Sequence, residues 1–166
     1  MKRLFSILLA LSLLLTVGAL AGCKKDEAPK ALDTSGWKEA DLLPKTVTVL
    51  YDPDAVNVSK TGQGATLAAK DGSWQIIGAS SLNTKESYDT QLSIAGDNMV
   101  GGGSREEKTL GAYSFTVFSR EVNGKTGATY FVAFGDDAAV YGAMIVLEAT
   151  GSTDAAEAVL STLTVA

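Results

Sequence analysis

The chain has 166 residues, with 14 basic and 19 acidic side chains, no histidine and one cysteine. This length suits one domain, and the net charge of −5 disfavours nucleic acid as a partner because phosphate binding needs a basic surface. One cysteine excludes an internal disulfide. The absence of histidine removes the commonest general base and the commonest metal ligand.

Residues 1–22 have the layout of an export signal. Lys2 and Arg3 form a short positive region, residues 4–20 are almost all apolar, and small residues follow. Without this leader, 12 of the 14 basic and all 19 acidic side chains remain, so the net charge changes from −5 to −7.

The end of the leader carries a more specific motif. Leu20-Ala21-Gly22-Cys23 matches the lipobox of bacterial lipoproteins at every position. The resemblance implies cleavage between Gly22 and Cys23 and diacylation of the Cys23 thiol. We therefore expect a lipid anchor on the extracytoplasmic face of a bacterial membrane, inner or outer. An uncleaved membrane anchor and an ordinary secretory signal with a chance cysteine are the alternatives.

Residues 23–44 are expected to be the lipidated cysteine and a flexible tether, because charges of both signs and Pro29 leave little apolar surface to bury. Trp37 is an exception near the end of this segment. We expect Ser35 to cap a short helical turn that lays Trp37 on the domain; an exposed Trp37 that contacts the membrane or a partner is the alternative.

Residues 45–166 are expected to form a single globular domain. The β-branched run 46–51 predicts a strand, and 88–95 is another candidate strand. The runs 65–69 and 73–77 flank Asp71-Gly72, a pair typical of hairpin turns.

The clearest predicted element is a meander. Residues 112–122 and 125–134 surround Asn123-Gly124, which suits a type I′ turn because both central positions take positive φ. Residues 138–149 follow as a third strand that is apolar on both faces, which predicts a central position in the sheet.

A helix is predicted near the C-terminus. Asp154 is expected to cap it, with Glu157 as the reciprocal partner three residues later. One apolar face is formed by Ala156, Val159, Leu160 and Leu163.

The predicted fold class is therefore α+β, an antiparallel meander of about five to seven strands with the C-terminal helix packed on one face. No alternation of strands and helices indicates a parallel sheet. The order of a strand, hairpins, paired long strands and a last helix that begins Asp-Ala-Ala-Glu-Ala-Val-Leu resembles small lipoprotein domains of the PsbP-like type. That resemblance implies no particular activity, because those domains have varied roles.

Catalytic chemistry has few carriers in this sequence. Triads that need histidine are impossible, and Ser59-Lys60 places its two side chains on opposite faces of a strand. Two acidic pairs remain, Asp52 with Asp54 and Asp136 with Asp137. They suit ordinary turns; a calcium site or a carboxylate-based hydrolase is the alternative. We expect no enzyme activity, no metal site and no cofactor.

The most unusual loop is residues 99–105. Three consecutive glycines, Gly101, Gly102 and Gly103, lie between Met99 and Arg105, and the spacing of a phosphate-binding loop is absent. Glycine gives backbone freedom and methionine gives adaptable apolar contact. We expect a loop, and this is the candidate binding loop of the domain.

The sequence as a whole predicts a non-enzymatic binding module at the cell envelope, attached to the membrane through Cys23. Its expected partner is a protein or an envelope component that the sequence does not identify. A carrier of a small molecule or metal is the alternative, and some strand aromatics could line a groove for such a ligand.

Overall fold

The computed structural model describes residues 32–99 and 102–166. Within these ranges the chain forms ten strands and two helices. The strands are β1 (Lys38–Leu43), β2 (Val47–Tyr51), β3 (Val56–Thr61), β4 (Gly64–Ala69), β5 (Trp74–Leu82), β6 (Ser104–Leu110), β7 (Tyr113–Val122), β8 (Lys125–Ala133), β9 (Gly142–Thr150) and β10 (Thr164–Val165). The helices are α1 (Lys85–Asn98) and α2 (Asp154–Leu160).

The strands form two antiparallel sheets. The smaller sheet has the order β1-β2-β10, and the larger has the order β3-β4-β5-β9-β8-β7-β6. The smaller sheet and α2 cover one face of the larger sheet, where the main hydrophobic core lies, and α1 lies on the other face.

The predicted fold class is therefore wrong. The domain is mostly β, with two sheets of three and seven strands and a helix on each face of the larger sheet, rather than one meander with a C-terminal helix. Alternation along a strand shows only that one face is buried. It does not show whether a second sheet or a helix covers that face.

The first strand lies inside the segment that was expected to be a tether. Lys38–Leu43 pairs with β2, and Leu42 is fully buried. The expected helical turn at Ser35 is absent, since residues 35–36 form a turn that leads into β1. Trp37 packs against the main core, as expected. The domain therefore begins before residue 45, because β1 buries three apolar side chains, Ala40, Leu42 and Leu43, and this burial offsets the entropy lost when the strand is ordered.

The predicted hairpin around Asp71-Gly72 and the three consecutive strands predicted within residues 112–149 are present, although the third strand begins at Gly142 rather than at residue 138. β4 and β5 are antiparallel neighbours around Asp71-Gly72, and β7, β8 and β9 are consecutive neighbours in the larger sheet. Asn123 and Gly124 have φ values of 55° and 74°, as a type I′ turn requires. β9 lies between β5 and β8, as predicted for a central strand. Its two faces are apolar because one faces the main core, with Ile145 and Leu147, and the other faces the cluster under α1, with Met144.

Helix α1 replaces the strand that was predicted at residues 88–95. Thr84 and Ser87 form a capping box at its N-terminus, with Thr84 Oγ1 accepting from the Ser87 backbone N–H at 3.1 Å. Tyr88, Leu92 and Ala95 are spaced for one helical face, and that face lies on the sheet. In a strand, Leu92 and Ile94 would lie on the same face. In the helix, Leu92 packs on the sheet and Ile94 is 46% exposed.

Candidate functional site

The candidate binding loop connects α1 to β6. Met99 caps the C-terminus of α1, Gly102 has a φ of 139°, and Arg105 lies in β6. The backbone N–H groups of Gly102 and Gly103 both donate to the Met99 carbonyl at 3.3 Å. A Cβ at Gly103 would lie 2.1 Å from Met99 Sδ, so any larger residue there would have to displace the Met99 side chain. Gly101 lies outside the described residues.

An open cleft of about 480 Å³ separates the C-terminal half of α1 from β6 and β7, and we name it the α1–β6 cleft. Its residues include Met99, Gly103 and Arg105 of the candidate binding loop. The Arg105 guanidinium lies 5.7 Å from the centroid of the Phe118 ring, within range of a cation–π contact. The acidic side chains of Asp89 and Asp97 line the helical side.

A row of aromatic rings lies under α1 and leads to this cleft. Tyr88 contacts Tyr141 and Phe131 edge-to-face with centroids 5.6 and 6.0 Å apart, and Phe131 contacts Phe118 at 5.9 Å. The buried residues of this layer, Leu82, Phe118 and Phe131, form a cluster separate from the main core. Helix α1 contributes only partly buried side chains to it. The helix is therefore held by a small apolar contact.

A second open cleft, of about 560 Å³, lies on the other side of α1, and we name it the α1–β5 cleft. Its lining is mostly hydroxyl-bearing, with Ser80 and Ser81 from β5 and Thr84, Ser87 and Thr90 from the helix region. Glu86 is the charged residue of this lining. Helix α1 thus lies on a sheet surface that is wider than the helix.

The most buried acidic group lies on the opposite face of the sheet. Glu157 Oε1 accepts hydrogen bonds from the Tyr130 hydroxyl at 2.7 Å, from Lys108 Nζ at 2.7 Å and from Thr153 Oγ1 at 2.8 Å. Glu157 was expected to cap the helix together with Asp154. That expectation is wrong, because Thr153 is the N-cap residue and the Glu157 carboxylate points into the interface with the sheet.

The hydrogen bonds around Glu157 decide its charge state. Burial raises the pKa of the carboxyl, but the bonds from Lys108, Tyr130 and Thr153 outweigh burial and leave the pKa below its ordinary value. Burial and the adjacent carboxylate both raise the pKa of the Tyr130 hydroxyl. A charged Glu157 with a neutral Tyr130 is a fully satisfied polar network, which holds α2 on the sheet.

The acidic pairs named from the sequence lie on turns. Asp52 Oδ1 accepts the Asp54 backbone N–H at 2.8 Å, which is the hydrogen bond of an Asx turn. Asp136 and Asp137 are exposed in the connection between β8 and β9. Within residues 32–99 and 102–166, no three His, Cys, Asp or Glu side chains are grouped so that they could share a metal ion.

Ser59 and Lys60 are exposed in β3, an edge strand of the larger sheet. Neighbouring residues of a strand point to opposite faces, so these two side chains do not form a catalytic pair. Gly22 and Cys23 lie outside the described residues. Neither helix in the described part of the chain is long and apolar enough to span a membrane.

Comparisons with known proteins give one structural likeness. No family model and no curated protein matches the chain. The chain is similar to a protein from Bacteroides thetaiotaomicron VPI-5482 that was solved at 1.50 Å, with a TM-score of 0.49 and 17% identity. The match covers 72% of this chain and 45% of the other, so it spans less than half of that protein.

The sequence analysis left open which strand aromatics line a groove, so it did not single out Phe118 at the α1–β6 cleft. It missed Lys108, Tyr130 and Glu157 as a buried network. The alternation of β7 gives a signal for Phe118. It lies on the strand face of Thr116, which is opposite to the face that Phe115 and Val117 turn to the main core. The network had none, since its members come from three separate elements.

Proposed function

We propose that this chain is a lipid-anchored protein of the bacterial cell envelope whose domain binds a protein partner through the α1–β6 cleft. The lipobox at Leu20–Cys23 supports the anchor. The cleft supports the binding role, because it contains the candidate loop residues Met99, Gly103 and Arg105 together with the Phe118 ring.

The contact between Arg105 and Phe118 carries the proposal. Arginine is enriched among the residues that dominate the energetics of protein interfaces, and here the exposed Arg105 guanidinium is held over the buried Phe118 ring at the edge of the larger sheet. The opposite wall carries Asp89 and Asp97. A cleft that is open and has both signs of charge suits the side chains of a protein surface, whereas a small solute needs a site that encloses most of its area.

The anchor has a direct test in cells. Replacing Cys23 with serine removes the thiol that takes the lipid, so we expect an uncleaved precursor that does not incorporate labelled palmitate. Ser6→Ala, in the same leader, is the matched control and should be processed and labelled normally. Processing and labelling of the Cys23→Ser protein would contradict the anchor.

The binding role is tested by photocrosslinking in the same cells. A photoreactive amino acid at Ser93, which lines the cleft, should give one discrete protein adduct, and the same residue at the exposed Glu121 should give none. Arg105→Ala should abolish the Ser93 adduct, whereas Arg120→Ala, an exposed arginine on the neighbouring strand, should leave it unchanged. An adduct that is equal at both positions or indifferent to Arg105→Ala would overturn the proposed site.

A further inference from the structure

Strand β5 has an edge that its neighbour covers only in part. β4 pairs with β5 at two positions, Leu67 with Ile76 and Ala68 with Gln75. A β-bulge between Ile76 and Gly78 follows, after which β5 continues to pair with β9 through Leu82. The stretch Gly78–Leu82 therefore has one paired edge and, among the described residues, one edge without a strand.

The direction that β4 takes explains the opening. Gly64 lies against the backbone of β1, where a Cβ would approach the Leu42 carbonyl oxygen to 2.1 Å. β4 thus leans towards the smaller sheet while β5 stays with the larger one. A bulge bends the bulged strand and increases its twist, so the separation follows from the extra residue at Ile77.

The open edge retains free hydrogen-bonding groups. In an antiparallel ladder, alternate residues direct their N–H and C=O groups to alternate sides, so about two or three residues of Gly78–Leu82 direct theirs away from β9. The registered ladder with β4 ends at Leu67–Ile76, and none of the turn, loop or side-chain hydrogen bonds within the described ranges reaches Gly78–Leu82. Ile77, Ser80 and Ser81 are exposed although β5 is an inner strand by sheet order.

Open space lies along this edge. A groove of about 210 Å³ lies between Gly64–Thr66 of β4 and Ile77–Ala79 of β5, and Leu42 of β1 also lines it. The α1–β5 cleft, with Ser80 and Ser81, follows at the other end of the same stretch. Five residues of an added strand would extend about 17 Å.

We propose that an extended peptide segment of a partner protein adds as a strand to the Gly78–Leu82 edge of β5. Unpaired N–H and C=O groups in a row are the chemistry that recognises polypeptide backbone. The charged lining residue of the α1–β5 cleft is Glu86, and no charged residue lines the 210 Å³ groove. A neutral or basic peptide segment with small side chains therefore fits this surface. This surface is separate from the α1–β6 cleft, and the inference does not depend on the lipid anchor.

The test uses the full mature protein in lipid nanodiscs and a phage-displayed library of random ten-residue peptides. Ser81→Lys places a charge at the open edge, which is how natural sheets block strand addition. Gln75→Lys is the matched control, because Gln75 is exposed on the same strand at a position that β4 covers. We expect selected peptides to bind the Ser81→Lys protein at least tenfold more weakly and the Gln75→Lys protein as tightly as the unchanged protein.

Hydrogen exchange gives the second readout. A selected peptide should slow exchange of backbone amides within Gly78–Leu82 and leave those of β6 unchanged. The inference is overturned if no peptide is recovered, if the two lysine variants bind equally, or if protection appears at the α1–β6 cleft instead. It is also overturned if these amides are protected without peptide in a protein that sediments as a dimer, since a second copy would then occupy the edge. Loss of the Ser93 adduct with Arg105→Ala tests the proposed function separately.

Discussion

The Tyr130 hydroxyl donates a 2.7 Å hydrogen bond to Glu157 Oε1 and so joins the middle of the larger sheet to helix α2. Tyr130 is 1% exposed and Glu157 is 9% exposed. Lys108 Nζ approaches the same oxygen from β6 and also lies 3.2 Å from Glu106 Oε1. One buried carboxylate therefore ties a central strand, an edge strand and a helix together.

Replacing Glu157 with glutamine should destabilise the domain. The amide keeps the size of the side chain but removes the charge that Lys108 and Tyr130 face, and hydrogen bonds to charged groups contribute about 1.5–3 kcal/mol. We expect the free energy of unfolding in urea to fall by about 2 kcal/mol. Glu121→Gln, at an exposed position of β7, should change it little. Equal losses for the two variants would show that the network does not stabilise the fold.

Acid should weaken the same network. The folded pKa of Glu157 lies below its ordinary value of 4.5, so its stabilising contribution is complete above that value and is lost as the pH falls through the folded pKa. No histidine titrates between pH 5 and 8. Urea unfolding should give a nearly constant free energy from pH 7 to 5.5 and a decline below about pH 4.

The Glu157→Gln protein provides the control for this pH dependence. Its free energy of unfolding should differ from that of the unchanged protein most at pH 7, and the difference should shrink as the medium becomes more acidic. A difference that is the same at pH 3 and pH 7 would assign the acid sensitivity to other carboxylates.

The turn between β7 and β8 should depend on its glycine. Gly124 has a φ of 74°, where an alanine side chain is strained, so Gly124→Ala should lower the free energy of unfolding by about 1 kcal/mol. Gly127→Ala is the matched control, because Gly127 has no positive φ and a Cβ there meets nothing within 4 Å. We expect that variant to be neutral or slightly more stable. The opposite order, measured in urea, would contradict the type I′ turn.

The start of the folded domain can be tested by truncation. A chain that begins at Asp33 keeps the whole compact unit, whereas one that begins at Lys45 lacks β1 and its buried Ala40, Leu42 and Leu43. Loss of these contacts should cost on the order of 5 kcal/mol, a large share of the stability of a small domain. We expect a cooperative thermal transition for the longer chain and a much lower or absent transition for the shorter one. Equal transitions would place β1 outside the stable fold.

The sequence was sufficient where structure is decided by neighbouring residues. Asn123-Gly124 and Asp71-Gly72 predicted their turns because positive φ and turn hydrogen bonds are local properties. The alternation in residues 112–134 predicted the paired strands, and the double apolar pattern of residues 138–149 predicted a central strand. The lipobox prediction also rests on four consecutive residues, Leu20–Cys23, and it stays a prediction.

The tertiary structure decided whatever depends on distant residues. Residues 88–95 fit a strand with alternate apolar positions and also a helix with Tyr88, Leu92 and Ala95 on one face. The capping box at Thr84 and Ser87 favours the helix locally, and the aromatic row beneath α1 gives its apolar face a partner. The segment before Pro44 is polar enough to be a tether, yet pairing with β2 and contact with Gly64 make it a strand. Glu157 has the spacing of a helix cap, and Tyr130 and Lys108, which are 27 and 49 residues away, turn it into the centre of a buried network. Such contacts form only when the two sheets and α2 enclose a common core, so no local pattern contains them.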